Sequence, residues 1–311
     1  MIQKHISVLK EEAINSLNIK ENGIYVDMTL GRAGHFLEIL KKLNNTGLAI
    51  GIDQDSEAIN DCKELLDSKK FKNFKLFKTN FCNIEKVLSE LNIQKVDGFL
   101  FDLGVSSPQF DEEDRGFSYR YDSRLDMRMD KEENNLTAYD VVNNYSLIDL
   151  TKIFKEYGEY KYSYSLAKEI VRQRKLKEIE TTKELVDIIK SITPKKELEK
   201  KGHPAKQVFQ ALRIEVNKEL DVLKDTLNLT LNHINIGGRI VVITFNSLED
   251  RIVKNIFNSK SKVINNRYDL LNLENPDFSL VNKKVIVASS EELENNLRAK
   301  SAKLRAIERI K

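Results

Sequence analysis

The stretch Val96–Asp130 reads VDGFLFDLGVSSPQFDEEDRGFSYRYDSRLDMRMD. It opens with an apolar run, Val96 to Phe101, that suits a buried strand. The run stops at Asp102, and a glycine and two serines, Ser106 and Ser107, follow. Open α/β sheets present ligands in this way, with acids and small polar residues at the carboxyl ends of buried strands. The polar continuation is far longer than a βα loop, which usually takes only a few residues. It marks the exit from a sheet into an inserted domain.

Working back from that strand, strand and helix signals alternate. Ile24–Leu30 is a strand, followed at once by Gly31-Arg-Ala-Gly-His35. Phe36, Ile39, Leu40 and Leu43 then recur at helical spacing. Leu48–Ile52 is a second strand ending in Asp53, Glu57–Leu66 a helix, Asn73–Lys78 a third strand and Ile84–Leu91 a third helix. The alternation predicts a parallel, doubly wound sheet. Ile6–Leu17 precedes it as a short amphipathic helix.

Beyond residue 110 strand-like runs cease. Thr137–Val142, Leu147–Tyr157, Ser163–Lys175 and Thr182–Ser191 are helical, and the Lys-rich Ser191–His203 with Pro194 is a loop. Phe209, Leu212, Val216, Leu220, Leu223, Leu227 and Leu231 predict one long helix over Gln207–His233, broken at Gly237-Gly238. Arg239–Phe245 returns to strand, Leu248–Phe257 is a helix, and Val285–Ala288 and Leu304–Ile310 are the candidates for the last two strands. The expected organisation is α/β: a Rossmann-like sheet domain over 1–110 and 207–311, interrupted by a helical domain over 111–206.

The chain has 311 residues, 41% hydrophobic and 32% charged, with a net charge of +3. That composition is globular, and the balance alone says little about nucleic acid. Cys62 and Cys82 have no metal or disulfide spacing, and His5, His35 and His233 are not paired at metal-ligand spacing. The segment MIQKHISVLKEE lacks the apolar core of a signal peptide. No apolar run approaches the ~20 residues of a membrane span. A reduced, cytoplasmic protein without a bound metal is expected.

The glycine turn at Asp27–His35 lets a ligand approach a helix N-terminus. It lacks the lysine of a phosphate loop, and Ala33 and Phe36 occupy two glycine positions of the dinucleotide fingerprint. Asp53, some 20 residues on, is placed to accept from ribose hydroxyls. Phe81, after the third strand, could pack on an adenine face or simply in the core. Together these fit an adenosine ligand without a pyrophosphate, and S-adenosylmethionine better than NAD. A dehydrogenase is disfavoured further by the lack of a hydride-transfer constellation. Asp102 would stand beside that ligand, where it either holds an acceptor amine and helps remove its proton or only contacts the cofactor. Ser106, Ser107 and Gln109 could add hydrogen bonds. His203, before Pro204, reads as a loop or cap residue more readily than as a catalytic one. Ser247 has no nucleophile-elbow context.

Basic residues recur in runs. Lys195–Lys218 holds seven against three acids, and Leu293–Lys311 six against two. With Arg115, Arg120, Arg124 and Arg128 they could line a phosphate-binding face.

Several motifs, in order and nearly end to end, resemble one family. They are YVDMTLGRAGHF, DLGVSSPQFDEEDRGFSYRYDSRLDMRMD, YGE at Tyr157–Glu159, HPAKQVFQALRIEVNKEL, GGRIVVITFNSLEDRIVK and LRAKSAKLRAIERI. They are similar to the ribosomal small-subunit methyltransferase H, or MraW, family. The resemblance implies S-adenosylmethionine-dependent N4-methylation of a cytidine in the decoding region of 16S ribosomal RNA. It also implies cofactor contacts at Ala33, Gly34, His35, Asp53, Phe81, Asp102 and Gln109, and a helical insertion that recognises substrate. Four places depart from the family pattern. Ala33 replaces a glycine, which is unstrained if its φ is negative. Asn246 replaces a histidine, Lys206-Gln207 replaces Thr-Arg, and Asp122-Ser-Arg-Leu125 replaces Asp-Gly-Pro-Leu. The first two leave open a cofactor-binding RNA module with weak or no transferase activity.

Overall fold

The computed structural model describes residues 7–104, 113–199, 202–262 and 275–311. Ser106, Ser107 and Gln109 lie outside the described residues. The chain divides into two compact units, one of Met1–Gly104 with Leu220–Lys311, the other of Val105–Glu219.

In the first unit α1 (Lys10–Leu17) precedes β1 (Ile24–Asp27), α2 (Gly34–Lys42), β2 (Leu48–Asp53), α3 (Ser56–Ser68), β3 (Phe74–Lys78), α4 (Ile84–Glu90) and β4 (Val96–Asp102). The sheet has seven strands in the order β3-β2-β1-β4-β5-β7-β6. β1 to β4 are parallel, as is β5 (Ile234–Thr244) on β4. The last two, β6 (Phe278–Leu280) and β7 (Lys303–Arg309), run antiparallel to their neighbours. Side chains alternate between two cores. Tyr25, Ala49, Leu100, Val241 and Ile243 face one with Phe36, Ile39 and Leu40 of α2. Val26, Ile50, Phe99, Phe101, Ile240 and Val242 face the other. A sheet covered on both faces needs the near-continuous apolar runs seen in the sequence. β1 leads to β2 on one side and lies beside β4 on the other, so the order reverses there and a crevice opens at their carboxyl ends.

The Val105–Glu219 unit is helical. It comprises α5 (Ala138–Asn144), α6 (Leu147–Glu156), α7 (Ser163–Gln173), α8 (Thr182–Ile192), a single turn α9 (Lys195–Leu198) and α10 (Ala205–Asn217). Thr137 with Asp140, and Thr181 with Glu184, form reciprocal capping boxes that start α5 and α8. One core joins Phe117, Leu125 and Met127 to all the longer helices, including Phe209, Leu212 and Val216 of α10. Because α10 packs there, the helical unit continues to Glu219, past the boundary expected at residue 206.

The expected single helix over Gln207–His233 is two helices, α10 and α11 (Glu219–Asn232). Lys218 adopts φ 50° and turns the chain. Asn217 fixes the break: its Oδ1 accepts from Met129 N (2.8 Å) and its Nδ2 donates to Met127 O (2.8 Å). Arg213 and Glu219 clasp across it through two hydrogen bonds. The apolar periods of the two helices are nearly in phase, which hides the break in the sequence. Gly237 and Gly238 lie inside β5 and end no helix. Of Val285–Ala288, Ile286 makes only an isolated bridge to Leu304, and the edge strand is Phe278–Leu280. There the Asn282 side chain takes the Ala306 N–H and Leu304 C=O of β7, displacing backbone pairing. α1 begins at Lys10, because Leu9 is left-handed.

Asn217→Ala removes two tertiary hydrogen bonds to the loop at Met127–Met129. It should destabilise the helical unit by about 2 kcal/mol, seen as a lower urea midpoint by tyrosine fluorescence.

Candidate active site

Three carboxyls end three adjacent strands: Asp53 on β2, Asp27 on β1 and Asp102 on β4. Asp53 ties the glycine turn to β2. Its Oδ2 accepts from Gly31 N (2.8 Å) and its Oδ1 from Asp55 N (2.9 Å). The Gln54 amide donates to the same carboxyl, which leaves about one of its four acceptor directions for a ligand. Asp55 caps α3 through Glu57 N. Burial pushes the Asp53 carboxyl above the usual range, opposed by its amide donors.

The turn itself is tight. Gly31 has φ 48°, which favours glycine, and a Cβ on Gly34 would require the Ser7 side chain to turn away and would still press on its Cβ at 3.1 Å. Ala33 has φ 59° and is fully buried. The negative φ that would spare an alanine is not adopted. A left-handed alanine carries strain of roughly 1–2 kcal/mol.

Asp27 is 2% exposed, and burial, with Asp53 nearby, pushes its carboxyl up to about 7 despite the Thr29 amide that donates to its Oδ1. Asp102 is pushed up to about 8 by burial first, then by Asp27 and Glu249. Among the described residues its Oδ1 is buried without a hydrogen-bond partner, and its Oδ2 lies 3.5 Å from His35 Nδ1. Its own amide donates to the Thr29 hydroxyl oxygen (2.7 Å). His35 is 4% exposed, with Nε2 3.0 Å from Val8 O. A carbonyl only accepts, so Nε2 carries the proton and Nδ1 faces Asp102. Cys62 donates to Gly31 O, and burial with the neighbouring acids pushes its thiol up to about 12.

Phe81 begins a 3-10 turn after β3 and packs edge-on against Phe101, with ring centroids 5.8 Å apart, and is itself half-buried. Asn246 caps α12 (Ser247–Lys260). Its Oδ1 accepts from Leu248 N and Glu249 N, and its Nδ2 donates to Glu249 Oε1. Both ends of the amide are thus held in a helix cap. Glu249 is 3% exposed.

The sequence had placed Asp53, His35 and Asp102 at strand and helix ends, and the structure brings them together. It had not singled out Thr29, Glu249 or the buried state of Asp27. The last was legible in principle, since Asp27 ends the apolar run IYVD.

His203 belongs to the helical unit. It stacks on Tyr119 at 4.7 Å and its Nδ1 accepts from Ala205 N. Burial, with Lys190 nearby, holds it below its ordinary range. The expected arginine face is only partly exposed. Arg115 is buried and donates to Arg128 O and Met129 O, while Arg128 is bidentate on Asp126. Arg120 and Arg124 are exposed. The basic runs are likewise partly neutralised: Lys218 pairs with Glu215, and Lys303 and Arg305 with Asp250. Among the described residues no three His, Cys, Asp or Glu side chains are grouped to hold a metal ion, and no helix is long and apolar enough to cross a membrane.

A seven-stranded sheet of this order with an antiparallel seventh strand, a glycine turn after β1 and acids closing β1, β2 and β4 is the class I S-adenosylmethionine-dependent methyltransferase fold. A profile of the MraW methylase family matches residues 2–310, and the chain belongs to that family. It is 51% identical over 312 residues to a Spiroplasma kunkelii protein named ribosomal RNA small subunit methyltransferase H, covering 99% of each chain. A Clostridium botulinum (strain 657) protein of the same name is 52% identical over 310 residues, again over 99% of each. Among solved structures, a Clostridium thermocellum protein titled a putative rRNA-methylase aligns over 98% of this chain and 100% of its own, at 11% identity and a TM-score of 0.47.

Two outcomes follow from this geometry. Ala33→Gly should relieve the left-handed strain and raise stability by about 0.5–1 kcal/mol after the larger entropy of the unfolded glycine is counted, measured by urea melts. The raised carboxyls of Asp27 and Asp102 favour folding fully below pH ~4, and that contribution is lost as pH rises through about 7 and 8. Asp102→Asn should therefore gain on the ligand-free wild type by about 1 kcal/mol or more between pH 5 and 8.5; parallel melting curves would contradict it.

Proposed function

We propose that the protein methylates the exocyclic N4 of a cytidine in the decoding region of 16S ribosomal RNA, with S-adenosylmethionine as donor. The observation that carries the reading is family membership across residues 2–310, joined to a crevice built of acids. The crevice suits this cofactor. It offers carboxyls and a helix N-terminus, and the cofactor is a cation with ribose hydroxyls and a carboxylate. Bound S-adenosylmethionine supplies a methyl group activated by its sulfonium.

The chain's own residues do the rest. Asp53 accepts from the ribose hydroxyls. Phe81 packs on the adenine. Ala33, Gly34 and His35 present the first turn of α2 to the amino-acid end of the cofactor. Gln109 belongs to the same set by resemblance. Asp102 stands where the acceptor amine must approach. The lone pair of that amine is conjugated into the base, so holding it in line and receiving its proton lower the barrier. Asp102 fills this role or anchors the cofactor. The unit Val105–Glu219 recognises the RNA, with Arg120, Arg124, Lys195 and Lys196 exposed for phosphates.

Labelled S-adenosylmethionine mixed with small ribosomal subunits lacking the modification tests the reading. Label in one 16S cytidine at N4 is expected, and its absence would overturn the assignment, including in favour of a binding module without activity. Asp53→Ala should weaken cofactor affinity at least tenfold through lost hydrogen bonds to a charged group, each worth about 1.5–3 kcal/mol. Unchanged affinity by calorimetry would remove Asp53 from the pocket.

A further inference from the structure

Carboxyls close three adjacent strands of the sheet. β2, β1 and β4 are consecutive in the sheet. Asp27 pairs in register with Gly51 on one side and Leu100 on the other, so Asp53 and Asp102 stand two residues further along their strands, flanking it. Neighbouring strands are about 4.8 Å apart, which brings three acids to one end of the sheet, Asp27 buried and Asp53 and Asp102 half-buried. Glu249 adds a fourth from α12, and Asp55 a more open one from α3. Arg32, on the glycine turn, pairs with Asp61 of α3. Among the described residues the base that faces Asp102 is His35 of α2.

His35 cannot satisfy an ionised Asp102 while it is neutral. Its proton is on Nε2, directed at Val8 O, so Nδ1 has only a lone pair to offer. In the matching state the carboxyl keeps its proton, with Oδ2 3.5 Å from Nδ1. Oδ1 remains buried with no partner among the described residues. An ionised carboxylate in that position would carry uncompensated charge on Oδ1, which burial penalises heavily.

We propose that Asp102, backed by Asp27, makes the crevice select a cationic ligand over its neutral counterpart: the sulfonium cofactor enters with release of a proton, whereas the thioether product does not. The inference rests on the proposed cofactor site and adds to it a charge-based discrimination. The positive sulfur makes the ionised carboxyl the favoured form, the O–H bond of the acid breaks, and the proton leaves to solvent. After methyl transfer the sulfur is neutral. The carboxyls are again too many, one takes a proton back, and the product is held less tightly. The direction matches the raised carboxyls of Asp27 and Asp102, which burial and mutual repulsion keep protonated near neutrality.

Calorimetry on the full chain with S-adenosylmethionine and with S-adenosylhomocysteine, each at pH 6.5 and 8.5, tests it. For a carboxyl that titrates near pH 8 when free, cofactor affinity should rise about 20-fold across this range, while product affinity changes less than about threefold. Repeating the titrations in buffers of different ionisation enthalpy counts the protons released. Asp102→Asn should release fewer protons than the wild type and lose most of the pH dependence; the comparison cancels the titration of the ligand's own ammonium. Asp27→Asn removes a like charge and should shift the midpoint to lower pH, which keeps a test should the first variant fail to fold. Equal pH dependence for both ligands, or equal proton release by wild type and Asp102→Asn, would overturn the inference and leave the cofactor site standing. Failure of both ligands to bind at either pH would overturn the cofactor site itself.

Discussion

A strand buried on both faces has nowhere to place polar groups except its ends. β4 shows the rule most sharply. Its interior from Gly98 to Phe101 is buried between two cores, and its acids are Asp97 near the start and Asp102 at the finish. Asp97 receives the Ile24 amide and helps seat β1. Among the described residues Asp102 has no such settled partner for Oδ1. The same constraint acts on β1 and β2, so the polar ends of three apolar strands collect at one place. The crevice is a by-product of covering the sheet, and its chemistry follows from which polar residues close each strand.

The price of that arrangement is desolvation. Other acids in the unit are settled by specific donors: Asp250 by Arg305 and Lys303, Glu308 by Arg239, Asp53 by three backbone amides. Asp27 has a single amide donor, from Thr29, and Asp102 Oδ1 has none among the described residues, and both are held toward their protonated forms. Unsettled groups of this kind cluster where ligands act, because stability and function ask for different partners. The left-handed Ala33 beside them is a second local cost in the same turn.

Much of this was legible in the sequence, for physical reasons that differ by element. Apolar runs closed by an acid identified β1, β2 and β4, since a doubly covered sheet leaves no other pattern. Phe36, Ile39 and Leu40 identified α2 by period. Lys218 gave no warning of its turn, because lysine has no preference for left-handed backbone and the apolar steps continue across it. The edge strand escaped for a related reason. Its pairing is replaced in part by the Asn282 side chain, so the apolar run at Val285–Ala288 drew attention away from Phe278–Leu280. Arg115 and Arg128 resembled phosphate ligands by type and spacing, yet their donors are used to fasten the loop that carries them. Residue type alone does not distinguish a guanidinium that binds from one that builds. The protonation of Asp102 was also invisible, as it depends on Asp27, Glu249 and a histidine whose tautomer is set by the Val8 carbonyl.

The interruption of the sheet between β4 and β5 bears on how the chain is assembled. β1 to β4 all emerge before the insertion, and the β1–β2 and β2–β3 pairs form across a single intervening helix. β5 arrives only after the whole Val105–Glu219 unit has been made, although it is the direct neighbour of β4. The helical unit is rich in local contacts and is the kind of structure that forms early. Until β5 docks, the edge of β4 from Gly98 to Asp102 stays open, an apolar strand with unpaired backbone groups and no covering strand. Such edges are templates for pairing with other chains. The interval between synthesis of β4 and arrival of β5 is therefore the period in which a nascent chain is most exposed to association with its neighbours, and the length of the inserted unit sets how long that period lasts.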